Sequence, residues 1–244
     1  MDRLTGIDTI VPVKRFEFLH EENYDIVINN TASDEDKVNA LRGQIETSLT
    51  STKDPLAGWI VDDQKSWLRF DILTEPKYVA KTKWKDRKDF IATVNWGDKY
   101  NFGNPNVARI IHQNRVFNSL LNEMDLSAQI RDLIVSDEAQ EVAKKYGYLR
   151  ISYVEPLVGL IDKKAGKKTV IYEYVENTGT RPLPDLVKEI KRFFLRKGIY
   201  PGDIDTGQFL ISNTPEGTIL YLVDTEAYEK ATKHQVDALL ADDD

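Results

Sequence analysis

Cysteine is absent from the 244 residues. That excludes disulfides, thiolate zinc sites and a cysteine nucleophile, and it accords with a cytoplasmic setting. The three histidines, His20, His112 and His234, lie far apart without ligand spacing, so a histidine metal cluster is not expected. No window approaches the ~18 continuous apolar residues of a membrane-spanning helix. The first ten residues carry Asp2, Arg3 and Asp8 and lack the apolar run of a signal peptide. A net charge of −7 is the wrong sign for phosphate-backbone binding, so nucleic acid is not an expected partner. No Gly-x-Ser-x-Gly elbow accompanies these absences, which leaves the hydrolases without their usual machinery.

What is present is ordinary core material. Apolar residues make up 41% and aromatics 10%, enough for a sizeable interior. Trp59, Trp67, Trp84 and Trp96 read as packing residues. Val11–Leu19 and Tyr24–Ile28 read as strands, and Ser33 or Asp34 as the cap of a helix reaching Leu49. Short polar turns separate three β-rich runs, Ser66–Leu73, Lys77–Trp84 and Asp89–Trp96, which predicts an antiparallel meander. After a Gly/Asn/Pro loop at Gly97–Pro105 come helices over Asn106–Met124 and Ser127–Lys145, then strands over Leu149–Ile161 and Lys167–Glu176. Leu183, Leu186, Val187, Ile190 and Phe194 recur at helical spacing, so Pro184–Arg196 is an amphipathic helix ended by Gly198. Gln208–Ser212 and Thr218–Val223 flank a turn at Asn213–Gly217 and read as a hairpin. A last helix is expected over Glu226–Leu240.

Two motifs carry a functional expectation. In the segment Tyr200–Ile211, Asp203 follows Pro201 and Gly202, and Gln208 stands five residues on, before an apolar strand. In Ile219–Tyr228, an apolar strand ends in Asp224-Thr225-Glu226. Together they resemble the catalytic loop and metal loop of the protein-kinase-like fold. The Asp-x-Glu form is similar to that of the choline- and aminoglycoside-kinase-like enzymes. The order of elements also resembles that fold: three strands, helix, two strands, connection, helix, loop, hairpin, acidic loop.

The resemblance implies an α+β, two-lobed, kinase-like fold. Residues 1–60 would be an N-terminal extension, 61–176 the N-lobe and 177–244 a truncated C-lobe. It implies an atypical phosphotransferase that uses Mg-ATP on a hydroxyl acceptor. Asp203 would sit near the acceptor hydroxyl, and Gln208 and Asp224 would offer oxygen ligands to magnesium. Thr169–Glu176 would lead into a hinge, with backbone groups near Glu173 and Val175 meeting an adenine edge.

The pattern also departs from the family. The third β-rich run places Ala92 where the family has Ala, but Val94 where it has Lys. Leu73–Val79 has no glycine, the helix at 106–124 offers only Glu123 near its end, and Pro201 replaces a histidine. Lys77, Lys81 or Lys83 would then reach the phosphates. Alternatively Val79-Ala80-Lys81 is itself the lysine strand, with residues 11–28 as the first hairpin. Fewer than about 20 residues follow Tyr228, too few for the usual peptide groove. A pseudokinase or kinase-shaped interaction protein with a protein partner is the second expectation. The third is an unrelated phage- or mobile-element-type α+β binding protein in which Asp203 and Asp224 are turns and caps.

Overall fold

A computed structural model describes residues 15–64, 68–75, 77–83, 105–164, 167–202 and 204–236. The fold is of the mixed α+β class, and its strands fall into a large sheet and two small ones. Among the described residues, no helix is long and apolar enough to cross a membrane.

The large sheet takes strands from three parts of the chain. The hairpin β1 (Phe16–His20) and β2 (Tyr24–Asn29) forms one end. The meander β3 (Ile60–Gln64), β4 (Leu68–Leu73) and β5 (Tyr78–Lys83) forms the other. Between them lie β7 (Pro156–Asp162) and β8 (Lys167–Glu173). The order is β1-β2-β7-β8-β5-β4-β3, antiparallel throughout. Residues 16–29, expected in an N-terminal extension, therefore continue the main sheet.

Side-chain alternation assigns each face of this sheet to a different helix. Ile26, Ile28, Tyr78, Ala80, Val158, Leu160 and Ile171 pack with Val38, Leu41 and Ile45 of helix α1 (Glu35–Thr52). Val27, Ile161, Val170 and Tyr172 pack on the other side with Leu120 and Met124 of helix α2 (Pro105–Ile134). Gly159 lies on this second face, where an added Cβ would stand 2.5 Å from Leu120 Cδ2. Its missing side chain lets the helix sit against the strand. Asp34 caps α1 by accepting the Lys37 backbone N–H at 3.0 Å, with Glu35 and Asp36 complementing the helix dipole in the first turn.

The rest of the chain builds a second core. The end of α2 meets helix α3 (Asp137–Lys145), helix α4 (Pro184–Arg196) and a sheet of order β10-β11-β6. Its strands are β6 (Arg150–Tyr153), β10 (Phe209–Thr214) and β11 (Gly217–Leu222). Phe193, Phe194, Phe209 and Tyr228 are almost wholly buried there. Two-residue strands β9 (Ile199–Tyr200) and β12 (Glu229–Lys230) pair alongside. Helix α4 has the predicted bounds, Pro184 at its start and Gly198 just past its end at φ +78°.

Several expectations are corrected. The helix break foreseen near residues 124–127 falls instead at Val135–Ser136. No glycine or proline interrupts residues 106–134, whereas Ser136 has an extended backbone and caps the next helix at Ala139. The single strand foreseen over Leu149–Ile161 is two strands in different sheets, because Pro156 has no N–H with which to continue a ladder. The final helix does not begin at Glu226. Residues 225–232 are irregular apart from β12, and a helical turn starts at 233, capped by Thr232. The meander begins one strand earlier than foreseen, at the exposed edge strand Ile60–Gln64. The run Asp89–Trp96 with Ala92 and Val94, the glycine-rich loop up to residue 104, and Trp67, Trp84 and Trp96 lie outside the described residues.

Candidate functional site

The face of the large sheet turned away from α1 carries the site. Within β5, Tyr78 and Ala80 belong to the α1 core, so alternation sends Val79, Lys81 and Lys83 to the opposite side. There a cavity of about 400 Å³ opens between the two cores, lined by Lys81, Glu173, Val175, Gly207, Leu210 and Asp224 among others. That volume lies within the ~300–1,000 Å³ range of small-molecule sites. Phe70, Val79, Val154, Leu210 and Val223 give it apolar walls. Residues 173–177, which join the large sheet to the second core, form its back. The chain is anchored there by backbone bonds from Tyr174 N to Lys77 O (3.0 Å) and from Thr178 N to Ile211 O (2.8 Å).

Lys81 is 7% exposed and makes an ion pair with Asp224 Oδ1 across the cavity. Asp224 directly follows the apolar residue Val223 beyond β11, with a left-handed backbone at φ +58°. A non-glycine residue holds that conformation only where its surroundings over-determine it, and such strain gathers at functional positions.

Beneath this pair lies a compact charged network. Glu226 forms an ion pair with Lys83, and its Oε2 lies 3.7 Å from Lys168 Nζ and 4.0 Å from Lys81 Nζ. Lys168 also reaches Glu123 Oε2 of α2 at 3.2 Å. Tyr172 donates its hydroxyl to Glu123 Oε1 at 2.5 Å. Burial disfavours ionised Glu226, but the charges of Lys81, Lys168 and Lys83 outweigh it and hold its pKa below the ordinary glutamate value. Burial likewise opposes the Lys83 ammonium, yet Asp224 and Glu226 hold its pKa above the usual lysine value. Desolvation and the Glu123 charge push the Tyr172 phenol far up, so it stays protonated and a donor.

Of the residues singled out in the sequence, Lys81, Glu173, Val175 and Asp224 line this one cavity. Lys83 is adjacent through Glu226. Gln208 turns inward instead: its side chain accepts from Asp205 N at 3.3 Å in a reciprocal cap of the 3-10 turn Thr206–Gln208. Its backbone carbonyl accepts from Val223 N at 2.9 Å, holding that turn beside Asp224. Asp203 lies outside the described residues. Its neighbour Gly202 (φ +36°) lies so close to Ala227 that a Cβ there would collide with the Ala227 carbonyl. Gly202 thus packs against the residue that follows Glu226.

Lys81 of Val79-Ala80-Lys81 is the lysine that meets Asp224, and position 94 lies outside the described residues. The hairpin beside it is β3–β4, and the 16–29 hairpin lies at the far end of the sheet. Glu123 on α2 is paired with Lys168, not with Lys81. In sequence Lys168 belongs to the basic turn Lys163–Lys168, which reads as a solvated charge run or a contact for a phosphate-bearing partner. Its only signal is its two-residue spacing from Val170 and Tyr172, which shares their buried face.

Among the described residues, no three histidine, aspartate or glutamate groups converge as a metal site. Asp62, Glu173 and Asp224 bring carboxylates to the cavity wall, and Glu226 lies two residues beyond Asp224. Oxygen donors of this kind suit magnesium, which takes one or two carboxylates together with substrate phosphates. No protein-family model matches the chain, and no curated protein matches it.

Proposed function

We propose that the chain is an atypical kinase-like phosphotransferase that binds Mg-ATP in the cavity between the two cores. One observation carries this reading: buried Lys81 and the left-handed Asp224 pair at the wall of an apolar-lined slot that the connection at 173–177 also lines. The order of elements around the slot supports it, from the meander and long helix through β7 and β8 to the hairpin that presents Asp224. In this reading the large sheet and its helices are the N-lobe and residues after 177 a small C-lobe.

Each residue then has a task. The backbone at Glu173 and Val175 offers hydrogen-bonding groups to the adenine edge, between Val79 and Val154 on one side and Leu210 and Val223 on the other. Lys81 holds phosphate oxygens as a point charge, exchanging Asp224 for them. Asp224 would hold a magnesium ion, whose charge would offset that of the transferred phosphoryl group. Asp203 orients the acceptor hydroxyl and takes its proton. Gln208 supports the turn beneath Asp224 through its cap and its carbonyl, so its side chain is not assigned to the metal.

A second reading rests on the same ion pair. Lys81 and Asp224 neutralise each other, and Glu123 is engaged by Lys168. A kinase-shaped interaction protein that binds no nucleotide would keep such a closed network. Calorimetric titration of ATP with and without magnesium, on this chain and on Asp224→Asn, separates the two. Binding that strengthens with magnesium in the parent and loses that gain in the variant supports the phosphotransferase. No binding at millimolar ATP overturns it and leaves the interaction protein.

A further inference from the structure

Lys168 is 8% exposed and is the first inward-facing residue of β8. It touches acids from two separate elements of the site. Its ammonium lies 3.2 Å from Glu123 Oε2 on α2 and 3.7 Å from Glu226 Oε2 on the segment after Asp224. Neither acid is free to turn elsewhere. Glu123 is 1% exposed and accepts the Tyr172 hydroxyl through its other oxygen. Glu226 is shared with Lys83 and Lys81.

We propose that Lys168 is a positioning residue that ties helix α2 to the segment carrying Asp224. It acts through Glu226 rather than on substrate. Its bearing on catalysis rests on the phosphotransferase reading above. The geometry makes the tie specific. Asp224 holds a left-handed backbone and is followed by residues without regular structure. Its position therefore depends on side-chain anchors: Lys81 on Asp224 itself, the Lys83–Lys168 pair on Glu226, and Tyr153, whose hydroxyl lies 2.9 Å from Thr225 Oγ1. Of these anchors, Lys168 also holds α2, which meets the same segment a second time where Asn122 Nδ2 donates to the Tyr228 carbonyl at 3.3 Å. A shift of α2 thereby reaches the metal-loop segment without any direct contact between Glu123 and that segment.

The test is hydrogen exchange on the full ligand-free chain, comparing Glu123→Gln, Lys168→Met and Lys168→Arg. Glu123→Gln keeps shape and packing but breaks the ion pair. It is expected to accelerate exchange in 219–230 as well as in 120–134, by about tenfold. Lys168→Met does the same in both segments, and Lys168→Arg restores protection. If Glu123→Gln loosens α2 and leaves 219–230 at the parent rate, the tie does not exist. The same variants titrated with ATP should lose about 10- to 100-fold of the magnesium-dependent part of affinity, with Arg retaining most of it. Should the parent bind no ATP, the phosphotransferase reading fails while the exchange result still decides the role of Lys168.

Discussion

Lys83 on β5 and Lys168 on β8 stand directly opposite each other in the antiparallel register, and one carboxylate, that of Glu226, reaches both. Like charges facing across a ladder destabilise it unless an anion lies between them. Glu226 is that anion, and it comes from a segment more than fifty residues later in the chain. Replacing it with Gln should cost about 2 kcal/mol of unfolding free energy, because two partly buried lysines lose their shared counter-ion. Urea denaturation of Glu226→Gln against the parent checks this. Adding Lys83→Met to the variant should recover part of the loss, and an additive double mutant would show that the pair does not interact.

The same cluster makes stability depend on pH at both ends. The folded-state pKa of Glu226 is depressed, so its contribution is present above the unfolded value near 4.5 and is lost as pH falls through the lower folded value. The folded-state pKa of Lys83 is raised. Its contribution is complete below the unfolded value near 10.5 and is lost as pH rises through the higher folded one. Denaturation midpoints should therefore be flat near neutrality and fall at both extremes. In Glu226→Gln both arms should be shallower, since the variant removes the acid and one of the two charges that raise Lys83, leaving that of Asp224. An unchanged profile in the variant would contradict this.

Asp71 on β4 is 1% exposed and is held by Arg69, with Nε 2.9 and 2.8 Å from its two oxygens. Arg69→Ala would strand a buried carboxylate and should cost about 3 kcal/mol. Arg69→Ala combined with Asp71→Asn should be more stable than Arg69→Ala alone, because the charge is gone. Thermal melts of the three variants decide it, and a double variant no better than the single would refute the pairing.

Gly159 and Leu120 fix the approach of α2 to β7. Gly159→Ala places a methyl within 2.5 Å of Leu120 and should destabilise by about 1–3 kcal/mol through overpacking. Leu120→Ala in that background should cost less than Leu120→Ala in the parent, since the new methyl occupies space the leucine vacates. A double-mutant cycle by chemical denaturation reads the difference. Additivity would mean that the helix shifts away instead.

Local pattern already specified much of the architecture. Pro184, the five apolar positions from Leu183 to Phe194 and Gly198 define α4, because caps and a 3.6-residue period act within one element. A cap for α1 at Ser33 or Asp34 and a hairpin turning within Asn213–Gly217 were legible for the same reason, and the structure gives Asp34 and the pair Thr214–Gly217. Elements whose limits depend on distant partners were not. Residues 149–161 form one apolar run in sequence, but Pro156 divides it between two sheets. Edge strand β3, with Ile60 and Val61 exposed, has too polar a pattern to stand out.

The site divides in the same way. By itself the sequence determined that an Asp-x-Glu loop ends one hairpin strand, that Lys81 and Lys83 share a face of β5, and that cysteine contributes no chemistry. Those facts follow from composition and from the two-residue period of a strand. Only the tertiary structure decided that Lys81 meets Asp224, that the Gln208 side chain closes a local cap, and that Glu123 belongs to Lys168. Each of these choices depends on which charged groups are brought together out of water. Burial makes an unpaired charge costly, so the fold pairs residues that lie forty to a hundred and forty positions apart. No local pattern in the chain encodes that pairing.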